Sequence, residues 1–262
     1  MDFDFIKQTT DQGVSTITLS RPDVLNAFNR RMAQDVQRAL ANASTDANVR
    51  AVLITGTGRA FCSGQDLSEA TPSEATKLDL GDIVKTSYAP MVLAIRNLEK
   101  PVVCAVNGVA AGAGANLALA CDIVIASEDA SFIQSFSKIG LVPDTGGTFF
   151  LPRLVGHARA TALMFLGEKV PATKAKEWGM IHDVVPGTVL LDTALALARQ
   201  LATMPTRAFA LTKKALNASW TNDITAQVAV EEEMQRQAGR SADFNEGVRA
   251  FLEKRKPTYT GR

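Results

Sequence analysis

An α/β fold is the class this sequence predicts, on three observations. Runs rich in Val, Leu and Ile alternate with stretches of helical periodicity as far as Val185, at intervals that imply βα units with parallel strands and helices outside. From Leu190 onward no strand signal remains and the pattern is helical throughout. The 46% apolar content of the 262 residues is ample for a buried core.

The elements follow in order. Asp11-Gln12-Gly13 is a turn signal, and Ser15 to Leu19 alternates as a strand does, so the chain opens with a hairpin. Arg21-Pro22 ends it. Met32, Val36, Ala39, Leu40 and Ala43 then recur at helical spacing. Ala51 to Thr55 reads as a buried strand stopped by Gly56, followed by a polar loop to about residue 78. A helix over 81–98 leads to a strand from Pro101 to Val106, a turn at Asn107-Gly108, a small-residue helix from Gly112 to Ala120, and a strand from Asp122 to Ala126. Residues 149–180 are mostly helical, and Ile181 to Val185 is a short strand. Helices are predicted over 189–203, 206–219, 223–238 and 242–255, the last capped by Ser241 and stopped by Pro257. A helical tail with this much apolar surface must pack on the core or on another subunit.

Composition narrows the function classes. Lys and Arg number 28 against 27 Asp and Glu, a net charge of +1, so no global field steers the chain to nucleic acid or an anionic membrane. Cys62, Cys104 and Cys121 are odd in number and lack metal-ligand spacing, which suits free thiols in a reducing cytoplasm, and no metal site is expected. The N-terminus carries acids rather than a basic stretch, so a secretory signal is not expected. Val102 to Ala126 is apolar enough to raise a membrane span, but Asn107, Asn116, Asp122 and three glycines favour a buried strand, turn, helix and strand. His157 and His182 fit no motif, and Cys62 has no histidine near it in sequence, which favours packing over nucleophilic catalysis.

Asp144 stands between Pro143 and Thr145-Gly146-Gly147, where the backbone bends and a helix begins. On local sequence alone it is best read as a helix cap, since Asp is ordinary there. The wider pattern reverses that preference.

Three stretches together resemble the enoyl-CoA hydratase/isomerase family, the crotonase superfamily. They are Gly58-Arg59-Ala60-Phe61-Cys62-Ser63-Gly64-Gln65-Asp66-Leu67, then Asn107 to Leu117 with Cys121-Asp122-Ile123, then Lys138 to Thr148 with Leu151-Pro152-Arg153. Ser20-Arg21-Pro22, Leu25-Asn26-Ala27, Glu246-Gly247, Phe251, Lys254 and Arg255 extend the likeness over nearly the whole chain. Each motif is weak alone, but five in the right order are strong. The resemblance implies a crotonase-like spiral of ββα units, with a catalytic core over 1–195 and a helical trimerisation region over 196–262. It implies a homotrimer, commonly paired into a hexamer, acting on acyl-CoA in the cytoplasm, with no cofactor beyond the CoA of the substrate.

The family stabilises a thioester enolate with one backbone N–H from each glycine-rich loop. Carried over, these are the amides of Ser63 and Ala113, the latter at a helix start whose dipole adds to the effect. A small-residue helix packed tightly on a strand would need the same glycines. The resemblance also implies CoA contacts from Arg21, Val24, Leu25, Ser63, Gly64, Gln65, Asp66, Leu67, Gly112, Phe136 and the basic end Lys254-Arg255-Lys256, for which a solvated helix end is the plain alternative.

The departures from the family pattern matter most. Hydratases of the family hold water between two glutamates, and those places carry Asn116 and Phe136, neither a general acid or base. Asp144 falls where certain isomerases place their carboxylate. The segments Phe136 to Thr148 and Ala238 to Gly247 are similar to the family's isomerases of phenylacetate catabolism, which rearrange a ring epoxide and shift double bonds. The resemblance leaves open a dienoyl-CoA isomerase, a hydratase, a hydrolase or dehalogenase with nucleophilic Asp144, and a non-catalytic RNA-binding member.

Overall fold

The computed structural model describes residues 3–69 and 79–262. Ten strands and eleven α-helices follow one another among them. They are β1 (Ile6–Asp11), β2 (Val14–Leu19), α1 (Arg30–Thr45), β3 (Ala51–Gly56), β4 (Ala60–Cys62), α2 (Leu80–Ile83), α3 (Ala89–Asn97), β5 (Val102–Val106), β6 (Val109–Ala111), α4 (Ala113–Leu119), β7 (Ile123–Ser127) and β8 (Ser131–Ile133), continuing with α5 (Gly147–Val155), α6 (His157–Leu166), β9 (Lys169–Pro171), α7 (Ala172–Glu177), β10 (Asp183–Val185), α8 (Leu190–Ala202), α9 (Thr206–Ser219), α10 (Ile224–Ala238) and α11 (Ala242–Leu252).

The strands form two sheets. The larger runs β1-β2-β3-β5-β7-β10, parallel except where β1 pairs antiparallel with β2 through the predicted hairpin. Gln12 and Gly13 supply that turn with φ of 47° and 78°. The smaller sheet, β4-β6-β8-β9, is absent from the sequence reading. Its strands have three residues each, too few for a period of two to show. The chain thus repeats one unit: a strand in the large sheet, a strand in the small sheet, then a helix, as in β5-β6-α4 and β7-β8-α5. That is the expected ββα spiral.

Both faces of the large sheet are covered, so its strands read as continuous apolar runs rather than alternating ones. Ala51 and Leu53 of β3 with Val103 and Ala105 of β5 face Leu190, Ala194, Ala198 and Ala202, one stripe of α8. Val52, Ile54, Cys104 and Val106 point the other way, into a core that holds Met32, Val36 and Leu40 of α1 and Met91 and Ile95 of α3. The expected division after residue 195 therefore cuts α8 in mid-helix: its apolar stripe belongs to the core sheet as far as Ala202.

The helical expectations hold elsewhere, with two refinements. The helix over 81–98 is α2 and α3 joined by a π-helical turn, Val84–Tyr88. Ser241 caps α11 by accepting from the Phe244 N–H, but the helix ends at Leu252, ahead of Pro257, where Lys254 turns left-handed with φ of 56°. The apolar stretch from Val102 to Ala126 is β5, β6, α4 and the start of β7. Among the described residues no helix is long and apolar enough to cross a membrane.

Candidate active site

The C-terminal ends of β4, β6 and β8, side by side in the small sheet, deliver three turns to one place. The turn after β4 carries Ser63-Gly64-Gln65, the turn after β6 carries Gly112-Ala113, and that after β8 carries Ser135-Phe136. Between them lies a cavity of about 420 Å3, closed by Leu67, Leu80, Ile83, Val84 and Tyr88 on one side and by Lys138, Ile139, Leu141, Val142 and Asp144 on the other. Its walls are mainly apolar, with few polar groups converging, the usual character of a small-molecule site.

The two glycine-rich turns are in contact. Gly64 has φ of +99°, and a Cβ there would lie 3.0 Å from the Ala111 carbonyl oxygen and 3.6 Å from the Ala113 nitrogen, so glycine is required on both counts. Ala113 opens α4, and its N–H has no acceptor inside the helix. Tight packing holds as well, for a Cβ on Gly114 would meet the Cys62 carbonyl oxygen at 2.4 Å.

One expected donor is corrected. The Ser63 N–H donates to the Leu25 carbonyl at 3.0 Å and is not free for a ligand. Two residues on, the Gln65 N–H has no acceptor among the described residues, while its neighbours are tied down: the Gly64 carbonyl accepts from Phe28 N–H at 2.7 Å and Asp66 N–H donates to the Phe28 carbonyl at 2.8 Å. The Gln65 side chain accepts from the Tyr88 hydroxyl. Tyr88 is 2% exposed; burial, then the charge of Asp144, pushes its phenol well above the ordinary range, so it remains a donor. Nothing in the sequence singled out Tyr88, because its place depends on the π-helical turn that ends with it.

Asp144 is half-buried and is the one carboxylate on the cavity among the described residues. Its side chain does not cap α5. The cap position is Gly146, without a side-chain bond. Instead Thr145 Oγ1 donates to Asp144 Oδ1 at 2.7 Å. Burial pushes the Asp144 carboxyl up from its ordinary range, and the Thr145 hydroxyl partly opposes this by stabilising the charged form. The turn is strained: Thr145 sits at φ of 53°, costly for a β-branched residue, and Gly146 follows at 76°. Asn116 is fully buried and off the cavity, whereas Phe136 lines it, with its ring against Gly112.

Of the other expected contacts, Gly64, Leu67 and Gly112 line the cavity, as do Ser63 and Gln65. Arg21, Val24, Leu25, Asp66 and Lys254 do not. Arg21 Nη2 pairs with Asp66 Oδ2 at 2.8 Å and Nη1 donates to the Ala27 carbonyl, so this ion pair braces the Gln65 turn from behind. Val24 is exposed, and the Leu25 carbonyl is the acceptor that occupies Ser63. In the basic tail Arg255 is held by Glu246 and Glu253, which leaves Lys254 and Lys256 exposed at the end of α11. The Cys62 thiol is buried and pushed up to about 12, which removes it as a nucleophile. No cluster of His, Cys, Asp and Glu able to hold a metal occurs among the described residues.

The enoyl-CoA hydratase/isomerase family model matches residues 9–262. The chain belongs to this family. It is 50% identical over 260 residues to 1,2-epoxyphenylacetyl-CoA isomerase of Escherichia coli, covering 99% of each chain. It is 47% identical over 262 residues, the whole of both chains, to a Rhodobacter capsulatus protein carrying an enoyl-CoA hydratase name. The crystal structure of an enoyl-CoA hydratase from Bacillus anthracis superposes with a TM-score of 0.93 at 32% identity, over 99% of this chain and all of that one. The protein is therefore a crotonase-fold enzyme of CoA thioesters. Its relatives carry both hydratase and isomerase names.

Proposed function

We propose that this crotonase-family enzyme is an acyl-CoA isomerase with Asp144 as its acid/base. The observation that carries the reading is that Asp144 is the one carboxylate lining the cavity among the described residues, while the two positions at which family hydratases carry glutamate hold Asn116 and Phe136. Hydration needs a positioned water and groups to activate it, whereas a double-bond shift needs a single proton carrier.

The thioester carbonyl oxygen sits between the N–H groups of Gln65 and Ala113, which stabilise negative charge there as it develops. Asp144 removes a proton from the carbon alpha to the thioester, the enolate forms with its charge on that oxygen, and the same carboxyl returns the proton two carbons further along. A 3-enoyl-CoA becomes a 2-enoyl-CoA with no atom gained or lost. The raised proton affinity of Asp144 suits a group that must both take and give a proton. Phe136 and the neighbouring apolar wall exclude the water that would divert the intermediate. The half-identical E. coli relative supports 1,2-epoxyphenylacetyl-CoA as substrate, in phenylacetate catabolism.

Phe244, Val248, Phe251 and Leu252 expose a continuous apolar face on α11, which supports burial of this region against other copies as a trimer or pair of trimers, with Lys254 meeting the CoA held by a neighbour. Sedimentation velocity tests the assembly.

The deciding experiment sets the purified protein against a 3-enoyl-CoA, a dienoyl-CoA and 1,2-epoxyphenylacetyl-CoA in parallel, wild type beside Asp144→Asn. The variant is expected to lose isomerisation while binding CoA thioesters with little change. Turnover retained in the variant would refute the role, and a covalent adduct at Asp144 in single-turnover mass spectrometry would make it a nucleophile instead.

A further inference from the structure

Asn116 stands in the first turn of α4, 0% exposed, and does not reach the cavity. Its carboxamide nonetheless holds the main chain of Asp144: Asn116 Nδ2 donates to the Asp144 carbonyl at 2.8 Å. The same carbonyl accepts from Gly147 N–H at 2.8 Å. On its other side Asn116 Oδ1 accepts from Gln134 Nε2 at 2.8 Å. Gln134 is itself 3% exposed, and its Oε1 is buried with no partner among the described residues. A buried carboxamide left half-satisfied is a cost to the fold and calls for a reason. Its one side-chain bond is the one that fixes which way Asn116 faces, with nitrogen toward Asp144. Gly147 leaves no slack, because a Cβ there would come 2.3 Å from Asn116 Nδ2.

We propose that Asn116 and Gln134 are a positioning pair that aims the Asp144 carboxylate. Their bond pins the Asp144–Thr145 peptide, which keeps Thr145 in its left-handed conformation and its hydroxyl on Asp144 Oδ1. The carboxylate so held lines the cavity, where it meets the substrate. Without the pair the peptide is free to rotate, Thr145 relaxes to a negative φ, and the carboxylate swings off its line to the reacting carbon. This rests on the reading of Asp144 as the proton carrier.

The test measures kcat and KM with 3-hexenoyl-CoA, and the Kd of the 2-hexenoyl-CoA product, for Asn116→Asp and Gln134→Met beside Asp144→Asn. Asn116→Asp keeps the shape but removes the donor. Gln134→Met removes the support without touching Asp144. Each is expected to lower kcat roughly 10- to 100-fold, the size of effect a misplaced reacting group produces, with KM and Kd within about threefold. A role confined to folding would lower the melting temperature or the active fraction and leave kcat per active site unchanged. Wild-type kcat in a folded Asn116→Asp overturns the proposal; if that variant does not fold, wild-type kcat in Gln134→Met overturns it. Turnover retained in Asp144→Asn sinks the proposed function itself, whereas loss there beside full activity in the other two sinks only the pair.

Discussion

Replacing Thr145 by Val removes the hydroxyl that donates to the Asp144 carboxylate and leaves the contribution of the Asp144 backbone N–H in place. Both residues are β-branched, so the left-handed turn at φ of 53° is strained alike in each and the shape of the site is kept. What is lost is the 2.7 Å bond from Thr145 Oγ1 to Asp144 Oδ1. A hydrogen bond to a charged acceptor contributes about 1.5–3 kcal/mol, and partial exposure of Asp144 places the effect near the lower end. Since about 1.4 kcal/mol is a factor of ten in proton affinity, the Asp144 carboxyl binds its proton roughly tenfold more tightly in the variant. Burial already raises it, and the hydroxyl, ahead of the Asp144 backbone N–H, opposes that rise. In the proposed role Asp144 is active only when ionised, so the acid limb of the kcat/KM profile moves to higher pH. Activity falls most under acidic conditions and recovers at alkaline pH. The assay follows loss of the 3-enoyl thioester at fixed ionic strength across the acid limb, with Thr145→Ser as the control that keeps the donor. An acid limb unmoved in Thr145→Val, or moved to lower pH, would refute the assignment of Asp144 as the titrating base.

Three further outcomes follow from the same structure. Because the folded state raises the Asp144 carboxyl, it binds a proton there more tightly than the unfolded chain does, so stability falls as pH rises from about 4 through the folded value; Asp144→Asn should melt at a higher temperature than wild type at neutral pH, and a lower melting temperature would contradict the burial argument. Lys213 is buried and bonds Asp122 at 2.8 Å, but Asp122 keeps Arg96 at 3.0 Å and the Val102 N–H at 2.8 Å, so Lys213→Met should cost only about 1–2 kcal/mol in urea unfolding, well short of the 3–5 typical of an orphaned buried charge. All three cysteines are buried free thiols and Cys62 is pushed up to about 12, so alkylation of the native protein near pH 8 should be slow and leave activity intact; rapid inactivation would show Cys62 open to the cavity.

The large sheet was legible because its strands are buried on both faces, and Val, Leu and Ile accumulate in runs such as Ala51 to Thr55 and Val102 to Val106. The small sheet was not. Three-residue strands such as Ala60–Cys62 and Val109–Ala111 form because neighbours dock beside them, and local pattern carries no trace of that. The placement of Asp144, Gly64, Gly112, Ala113 and Phe136 around one cavity was foreseen through the family motifs. Which amide near Gly64 is free was not: Ser63 and Gln65 differ in what their N–H groups meet, and the Leu25 carbonyl lies nearly forty residues away in sequence. Nor does the sequence show that Arg21 and Asp66, expected at the CoA, pair with each other outside the cavity lining.

By itself, then, the sequence determined the class of fold, the family, and the carboxylate inventory that separates Asp144 from the missing hydratase pair, because covalent identity and periodicity are local properties. Only the tertiary structure decided which amide near Gly64 is left without a protein acceptor among the described residues, that Tyr88 stands beside it, and that Asn116, itself held by Gln134, bonds the Asp144 carbonyl from the buried side. Those are relations between distant segments, set by how strands and helices pack, and no window of sequence contains them.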